Sequence, residues 1–234
     1  MVTGRIFHGN PTTVFIIFII STVFILKPEW RKIKTMIKNK STKREIEKKK
    51  VRKLTITAML GAVTIMLGLT PLGMLPLGVF NVTTLHIPVI IGAILEGPLV
   101  GAAVGLIFGV TSLIKNLVAP TPISFIFWNP IVSVIPRILI GLLSYYFYQF
   151  LSHTLKNQKV TYFLTGIFGT FVNTFFVLSF AYILYAKDLV EKLSLPGGAG
   201  TFLVGIATAN GIPEMLVSAL ITVSVVTAVK KINK

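Results

Sequence analysis

The chain alternates between long apolar segments and short stretches that are polar or rich in proline and glycine. From Leu54 onward the apolar segments approach the length of membrane-spanning helices, which need about 20 mostly apolar residues, with a range of about 17–25. Glycine and proline between them, as in the turn Glu96-Gly97-Pro98, end one helix and begin the next. The pattern predicts spans at Leu54–Thr70, Val82–Leu95, Leu99–Ile114, Ile131–Leu151, Tyr162–Tyr185 and Phe202–Val229.

A further apolar run, Thr12–Leu26, precedes these segments. It lacks the basic start and the small-residue cleavage site of a removed signal peptide. We predict that residues 1–26 form an amino-terminal anchor helix; an in-plane or poorly ordered segment is the alternative. The predicted fold is therefore an all-α membrane protein, in which one extra apolar helix precedes a six-helix, substrate-binding membrane domain at residues 54–234.

Residues 27–53 form a basic linker with thirteen Lys or Arg residues against three Glu. Trp30, Ile33 and Ile37 recur at helical spacing, so the first part of the linker is expected to lie at the lipid interface. The positive-inside rule makes the linker cytoplasmic, and the basic tail Lys230–Lys234 falls on the same side. This predicts a multi-pass protein of the cell membrane with a cytoplasmic carboxy terminus. A specific lipid or protein site in the linker is the alternative to a purely topogenic role.

Composition supports an integral membrane protein whose environment is the lipid bilayer. The 234 residues are 53% hydrophobic and only 13% charged, whereas about a quarter of the residues of a soluble domain are charged. The net charge of +16 is concentrated in the linker between two apolar segments, which indicates membrane orientation and not nucleic-acid binding. Cysteine is absent, which excludes disulfides and cysteine metal sites.

The predicted outer loops are unusual for simple connections. Pro71–Asn81 is apolar yet rich in proline and glycine, Lys115–Pro130 contains three prolines, and Leu195–Gly200 is a glycine-rich lead into the last helix. Connections between helices are normally shorter or more polar. We expect these loops to fold over the outer end of the bundle, as lids do.

Polar side chains inside spans usually face the bundle interior or a cavity, because exposing them to lipid is unfavourable. Arg137 and Glu214 lie roughly 10–18 Å below the outer ends of their helices at about 1.5 Å per residue. Asn173 lies near mid-membrane, Asn210 is one turn from Glu214 on the same face, and His86 is one turn below an outer end. These side chains are expected to meet in the outer half of the bundle.

Two interpretations of this cluster stay open. In the first, Arg137 and Glu214 form a structural ion pair while asparagines bond between helices. In the second, the cluster is a small-molecule site in which an unneutralised Arg137 favours a ligand carboxylate. The walls and directional contacts of that site are predicted to be Trp128, Phe125, Phe127 and Phe176, with Asn129, Asn173 and Asn210.

Signatures of other chemistry are missing from the sequence. His86 fits a hydrogen-bonded packing residue or a ligand contact, but it has no clustered partners for a metal site. There is no G-x-S-x-G, H-E-x-x-H or Walker A sequence, so we expect neither an enzyme nor a bound cofactor. If ATP drives this protein, another subunit hydrolyses it.

Ala58 and Ala62 make a flat strip on the first core helix, since positions four residues apart share a face. Such small-xxx-small strips allow close helix contact in lipid. The contact is either with another helix of this chain or with a separate protein.

Residues Leu54–Val229 resemble the substrate-binding S component of an energy-coupling factor (ECF) vitamin transporter. The resemblance rests on the six-helix layout, the Ala58-x-x-x-Ala62 strip, the run HIPVIIGAILEGPLVGAAVGLIFG from His86 to Gly109, and the segment FWNP before helix four. Within the family, the sequence is most similar to the branch that includes pantothenate carriers.

The resemblance implies roles for several residues. The alanine strip would dock on a transmembrane coupling subunit that sits on a pair of cytosolic ATPases. The S component would bind its vitamin from outside, through the loop ending at Asn81 and the outer ends of helices four to six, and topple to deliver it. The extra helix and linker before Lys53 depart from the family pattern.

A stand-alone secondary transporter, in which Glu214 carries protons, is the alternative from a different class. Inverted repeats would favour it, and the sequence contains no convincing repeat. An intramembrane enzyme is a more distant alternative, because no nucleophile and base lie at matching depth.

Overall fold

The computed structural model describes Lys38 and residues 42–70, 73–77, 80–194 and 197–232, with the side chains of 74–77 and 80–82 left out of the description. The predicted anchor helix and most of the basic linker lie outside these residues. The chain divides into two units, Met1–Val51 and Arg52–Lys234. In the first unit, residues 42–51 are helical and exposed.

The described residues form helices and one short hairpin. Helix α1 spans Thr42–Leu69. The following elements are β1 (Met74–Leu77), β2 (Phe80–Thr83), α2 (Ile87–Glu96), α3 (Pro98–Val118), α4 (Ser124–Phe127), α5 (Pro130–Ser133), α6 (Ile135–Thr154), α7 (Gln158–Leu193) and α8 (Gly198–Ile232).

Five of the described helical segments are long and apolar enough to cross a membrane: α1, α3, α5 with α6, α7 and α8. The protein is therefore a helical, multi-pass membrane protein, which confirms the predicted class. The hairpin is an addition that the apolar pattern did not predict.

The second predicted span, Val82–Leu95, is helical only in its later part. Helix α2 has 10 residues and is thus about 15 Å long at about 1.5 Å per residue, whereas residues 80–83 belong to β2. Residues 87–94 are all buried, as expected for a helix that is apolar on every side. Extended backbone at membrane depth is tolerated where protein surrounds it or where it lines a cavity.

The hairpin replaces most of the predicted loop Pro71–Asn81. Strands β1 and β2 pair antiparallel, with Met74 opposite Thr83 and Leu77 opposite Phe80. Two residues connect the strands, which is the commonest hairpin length. The pairing satisfies backbone groups that an open loop would leave without partners.

Helices α7 and α8 extend beyond the predicted bounds Tyr162–Tyr185 and Phe202–Val229. Tyr185 has non-helical angles (φ −133°, ψ 15°) at a kink inside α7, and the helix continues through residues that were assigned to an outer loop. Helix α8 begins at Gly198, whose φ of 77° suits glycine. The predicted lead Leu195–Gly200 is therefore shorter, and residues 195–196 lie outside the described part.

Helices α3 and α6 pack with their backbones in contact because α3 carries glycines four residues apart, Gly101, Gly105 and Gly109. A Cβ on Gly105 would overlap the carbonyl oxygen of Arg137, and one on Gly109 would lie 2.7 Å from the Cα of Val134. Small residues allow this close approach in membrane bundles. The glycine strip therefore sets the position of α6, and with it that of Arg137.

We expect Gly105→Ala to destabilise the protein by about 1–3 kcal/mol, the usual penalty of overpacking. The matched control is Gly205→Ala, because nothing lies within 4 Å of a Cβ built there. Thermal unfolding in detergent measures both variants. Equal melting temperatures for the two would contradict the close α3–α6 contact.

Candidate functional site

A cavity of about 390 Å³ lies among α3, α6, α7, α8, the hairpin and residues 119–127. This volume is within the range of about 300–1,000 Å³ that is usual for small-molecule sites. Apolar side chains such as Phe108, Phe127 and Val177 form part of the wall. The polar side chains that line it are Thr83, Thr111, Ser112, Lys115, Asn116, Thr121, Arg137, Asn173, Thr174, Asn210 and Glu214.

Arg137 is held firmly at the cavity wall and is only 6% exposed. Its Nη1 donates to the carbonyl oxygen of Val132 at 2.6 Å, and its guanidinium lies 5.3 Å and 5.5 Å from the ring centroids of Phe108 and Phe127. Its Nε is buried without a hydrogen-bond partner among the described residues. A guanidinium has five N–H donors, so this fixed cation keeps donors for another molecule.

Glu214 connects helix α8 to the hairpin. Its Oε1 accepts the backbone N–H of Thr83 at 2.8 Å, so it satisfies a donor of strand β2 with a charge-assisted hydrogen bond. Within the described ranges, Glu214 and Arg137 do not form an ion pair. The structural pair considered from the sequence is therefore not present.

Asn173 and Asn210 complete the set of predicted polar residues that line the cavity. Asn173 is 9% exposed, and its Oδ1 has no hydrogen-bond partner in the described part of the protein. Helices α6, α7 and α8 thus bring Arg137, Asn173, Asn210 and Glu214 to one cavity.

His86 does not line the cavity. It is fully buried, and its Nε2 lies 2.9 Å from the Oγ1 of Thr170. The Thr170 hydroxyl donates to the carbonyl oxygen of Gly166, so the histidine must be the donor at Nε2, since a hydroxyl has one proton. The structure places His86 among the packing residues next to the cavity.

Trp128 and Asn129 also lie away from the cavity lining. Trp128 is 49% exposed, and its Nε1–H donates to the carbonyl oxygen of Asn116 at 3.0 Å. Asn129 caps α5, since its Oδ1 accepts the backbone N–H of Ile131 at 2.9 Å. Asn81 lies in β2, and its side chain is outside the described part.

Of the four predicted aromatic wall residues, only Phe127 lines the cavity. Phe125 packs edge-on against Tyr185, with ring centroids 5.9 Å apart. Phe176 packs edge-on against Phe175, with centroids 5.4 Å apart. These rings stabilise the surrounding helices instead of forming the wall.

The apolar pattern did not predict the polar face of α3. That helix continues to Val118 and not to Ile114, so Lys115 and Asn116 are helical instead of belonging to a loop. Thr111, Ser112 and Lys115 share one face with Phe108, at spacings of three and four residues. This helical spacing could have indicated the polar face. It was not recognised because the polar residues end the apolar run from which the span was predicted.

Residues 119–134, the outer segment, fold onto the end of α3 through partly buried hydrogen bonds. The Ser124 hydroxyl donates to Asn116 Oδ1 at 2.7 Å and accepts the backbone N–H of Thr121 at 2.8 Å. The Ser133 hydroxyl donates to the carbonyl oxygen of Phe127. In place of the predicted loop, the outer segment contains the short helices α4 and α5, and its residues 119–127 supply part of the cavity lining.

Ala58 and Ala62 face away from the helix bundle. Both are exposed, whereas Gly61 between them is buried, and a Cβ on Gly61 would lie 2.6 Å from the Cδ1 of Ile107. Exposed apolar side chains flank the strip, including Leu54 at 72% and Met66 at 67%. The strip is therefore not an internal packing face among the described helices.

The cavity has the chemistry of a binding site for a polar small molecule. It combines a fixed guanidinium, amides and hydroxyls with an apolar wall. Within the described ranges, no group of three or more His, Asp or Glu side chains could hold a metal ion.

Comparison with known proteins adds a family and a relative. The family model described as the ECF transporter, substrate-specific component, matches residues 52–226. The chain is also similar to the pantothenic acid transporter PanT of Lactococcus lactis subsp. cremoris (strain MG1363), with 31% identity over 163 residues, which cover 64% of this chain and 78% of that protein. The family match begins at Arg52, the first residue of the second structural unit.

Proposed function

The chain belongs to the substrate-specific components of ECF transporters, and we propose that it binds pantothenate or a closely related B vitamin for uptake across the cell membrane. It is a transport component and not an enzyme. Delivery would depend on a transmembrane coupling subunit and a pair of ATPase subunits, because the chain has no nucleotide-binding signature of its own.

The observation that carries this proposal is that two residues lining the cavity, Arg137 and Asn173, each keep a buried polar atom, Nε and Oδ1, without a hydrogen-bond partner among the described residues. A buried donor or acceptor without a partner is unfavourable by about 1–3 kcal/mol, so a ligand that pairs with both gains affinity. Pantothenate offers a carboxylate to the guanidinium and an amide N–H and hydroxyls to the asparagine. Its dimethyl group would meet the apolar wall.

The firm placement of Arg137 supports its role as the carboxylate contact. The hydrogen bond to Val132 and the rings of Phe108 and Phe127 leave its guanidinium little freedom. Little conformational entropy is then lost when the ligand binds. A hydrogen bond between two charged groups is also about twice as strong as a neutral one.

We propose that the cavity opens to the outside of the cell and that the carboxy terminus is cytoplasmic. Lys115 of the cavity lies near the end of α3, whereas Arg52 pairs with Glu96 at 2.9 Å next to the start of α3. Lys230, which donates to the Tyr148 hydroxyl at 3.0 Å, lies near the end of α8. The basic linker and tail would keep the end that bears Arg52 in the cytoplasm.

The same proposal gives six crossings after residue 54 and one before the basic linker. Five come from the long helices, and the second of the six combines the hairpin with α2. Residues 1–26 would supply the additional anchor, with residues 27–53 as the cytoplasmic linker.

The exposed strip at Ala58 and Ala62 is the proposed docking surface for the coupling subunit. Two small side chains on one face let a partner helix approach closely, and van der Waals packing stabilises such contacts in lipid. The outward orientation of the strip supports an external partner.

Mass spectrometry of the small molecule that co-purifies with the protein tests the proposed substrate most directly, together with calorimetric titration of pantothenate. We expect pantothenate in the purified sample and saturable binding to one site. A different co-purifying vitamin with no measurable pantothenate binding would contradict the assignment.

Substitutions of Glu214 test its role in holding the hairpin. We expect Glu214→Gln to bind pantothenate within about threefold of wild type, because the amide oxygen still accepts the Thr83 N–H. Glu214→Leu leaves that N–H unpaired, which is worth about 1–3 kcal/mol, and should weaken binding about ten- to hundredfold, as calorimetry would measure.

The proton-coupled alternative predicts a different effect of Glu214→Gln on vitamin uptake. An amide cannot carry protons, so uptake into cells would stop even though binding persists. Uptake by wild type from a proton gradient alone, without any ATPase subunit, would likewise overturn the ECF assignment of the energy source.

A further inference from the structure

Two cations line the cavity at different depths. Arg137 lies against the ring of Phe108, which belongs to α3. Lys115 follows Phe108 by seven residues in the same helix, which is about 10 Å along the helix axis. The exposed lining residues Ala119 and Thr121 directly follow α3 and mark the mouth of the cavity. Lys115 is thus the cation near the mouth, and Arg137 is the deeper one.

Lys115 is half-buried, and its side chain takes part in no hydrogen bond or ion pair among the described residues. Asp188 and Glu191, on the outer part of α7, do not pair with it. The undescribed residues of the second unit, 71–72, 78–79, 195–196 and 233–234, include no Asp or Glu. The ammonium group therefore has no Asp or Glu partner among the described residues of this unit.

The charged side chains that line the cavity are Arg137, Lys115 and Glu214. Their formal charges sum to one positive charge, which a ligand with a single carboxylate would balance. Since Glu214 is engaged by the Thr83 N–H, the two cations are the groups that can attract such a ligand.

We propose, on the premise that the proposed function holds, that Lys115 captures the ligand carboxylate at the mouth before Arg137 binds it deeper in the cavity. Arg137 lies between two aromatic rings and is only 6% exposed, so its charge is poorly accessible from solution. A cation at the mouth of a cleft with low-dielectric walls concentrates anionic ligands and raises their association rate. The hydroxyl side chains of Thr111 and Ser112 lie between the two cations along α3.

The long, flexible stem of lysine suits this role, because its ammonium can follow a carboxylate over several ångströms, whereas a guanidinium fits one fixed geometry. The different roles of the two cations can be separated by kinetic measurements. Lys115 governs the rate at which the ligand associates, and Arg137 governs the rate at which it leaves.

Rapid-mixing measurement of pantothenate binding to the purified protein, in Lys115→Gln and wild type, tests the proposal. At an ionic strength of about 0.01 M, where the Debye length is about 30 Å, we expect the association rate of the variant to be lower by roughly three- to tenfold. The difference should vanish at about 1 M, where the Debye length is about 3 Å. The dissociation rate should stay within about twofold, and Lys115→Arg should restore fast association.

Lys192→Gln is the matched control. Lys192 is also an outer cation, but its Nζ lies 4.1 Å above the Phe125 ring and does not line the cavity, so its loss should leave both rates unchanged. Unchanged association in Lys115→Gln, or a change confined to dissociation, would overturn the capture role while leaving the substrate assignment intact. A wild type that fails to bind pantothenate would instead refute the proposed function.

Discussion

Arg137→Ala should weaken pantothenate binding by roughly thirtyfold to several thousandfold. Removing one member of a buried, hydrogen-bonded charge pair is unfavourable by about 2–5 kcal/mol, and about 1.4 kcal/mol corresponds to tenfold in affinity. Arg137→Lys should weaken binding as well, because a compact ammonium cannot hold the Val132 carbonyl and also present the planar donors that match a carboxylate. Calorimetric titration in detergent measures the affinity.

The same variants need a readout that separates ligand contact from folding, since Arg137 also holds the Val132 carbonyl at 2.6 Å. Binding of the primary amide of pantothenate, which lacks the negative charge, provides that readout. If Arg137 binds the carboxylate, the substitution affects pantothenate far more than the amide. Equal losses for both ligands would show that Arg137 only supports the fold. Lys231→Ala, an exposed cation at the far end of α8, is the control for net charge.

Ala62→Trp and Ala58→Trp should abolish vitamin uptake in cells while leaving pantothenate binding intact. The strip faces away from the bundle, so an indole fits without disturbing the cavity, but it prevents a partner helix from approaching. Overpacking of about 1–3 kcal/mol corresponds to roughly five- to hundredfold weaker association with the coupling subunit. Pull-down from membranes and uptake of labelled vitamin measure the two effects.

Leu106→Trp is the matched control for these variants. Leu106 is 46% exposed on α3, away from the strip, so the same indole should be tolerated there with normal uptake. A loss of thermal stability or of pantothenate binding in Ala62→Trp would mean that the strip packs inside the protein.

Hydropathy located the helices well where they face lipid, and less well where they face the cavity. The predicted span Ile131–Leu151 differs by only a few residues from the helical segment Pro130–Thr154. By contrast, the predicted span Leu99–Ile114 stopped before Lys115, because polar side chains interrupt the apolar pattern there. The backbone of α3 nevertheless continues as a helix to Val118. The extended part of the second crossing was missed for a related reason. Apolar content reports burial and does not distinguish a helix from a strand surrounded by protein.

The polar residues of the cavity were predictable in part. Arg137, Asn173, Asn210 and Glu214 stand out in the sequence because a polar group inside a span needs an interior position. The positions of the aromatic residues were not predictable from spacing. Trp128 and Phe125 belong to the outer segment, whose short helices are oriented by the Ser124 and Asn116 hydrogen bonds across the fold, so the predicted walls were mostly wrong.

The sequence by itself determined that the chain is a helical membrane protein, that it resembles S components, and which polar side chains interrupt its apolar spans. It could not decide which small-residue strip faces inward. Ala58-x-x-x-Ala62 and the glycines at 101, 105 and 109 have the same spacing and permit the same close helix contact. Only the tertiary structure shows that the glycines pack against α6 and that the alanines remain exposed. The physical reason is that a strip of small side chains allows a backbone to approach, whichever chain that backbone belongs to.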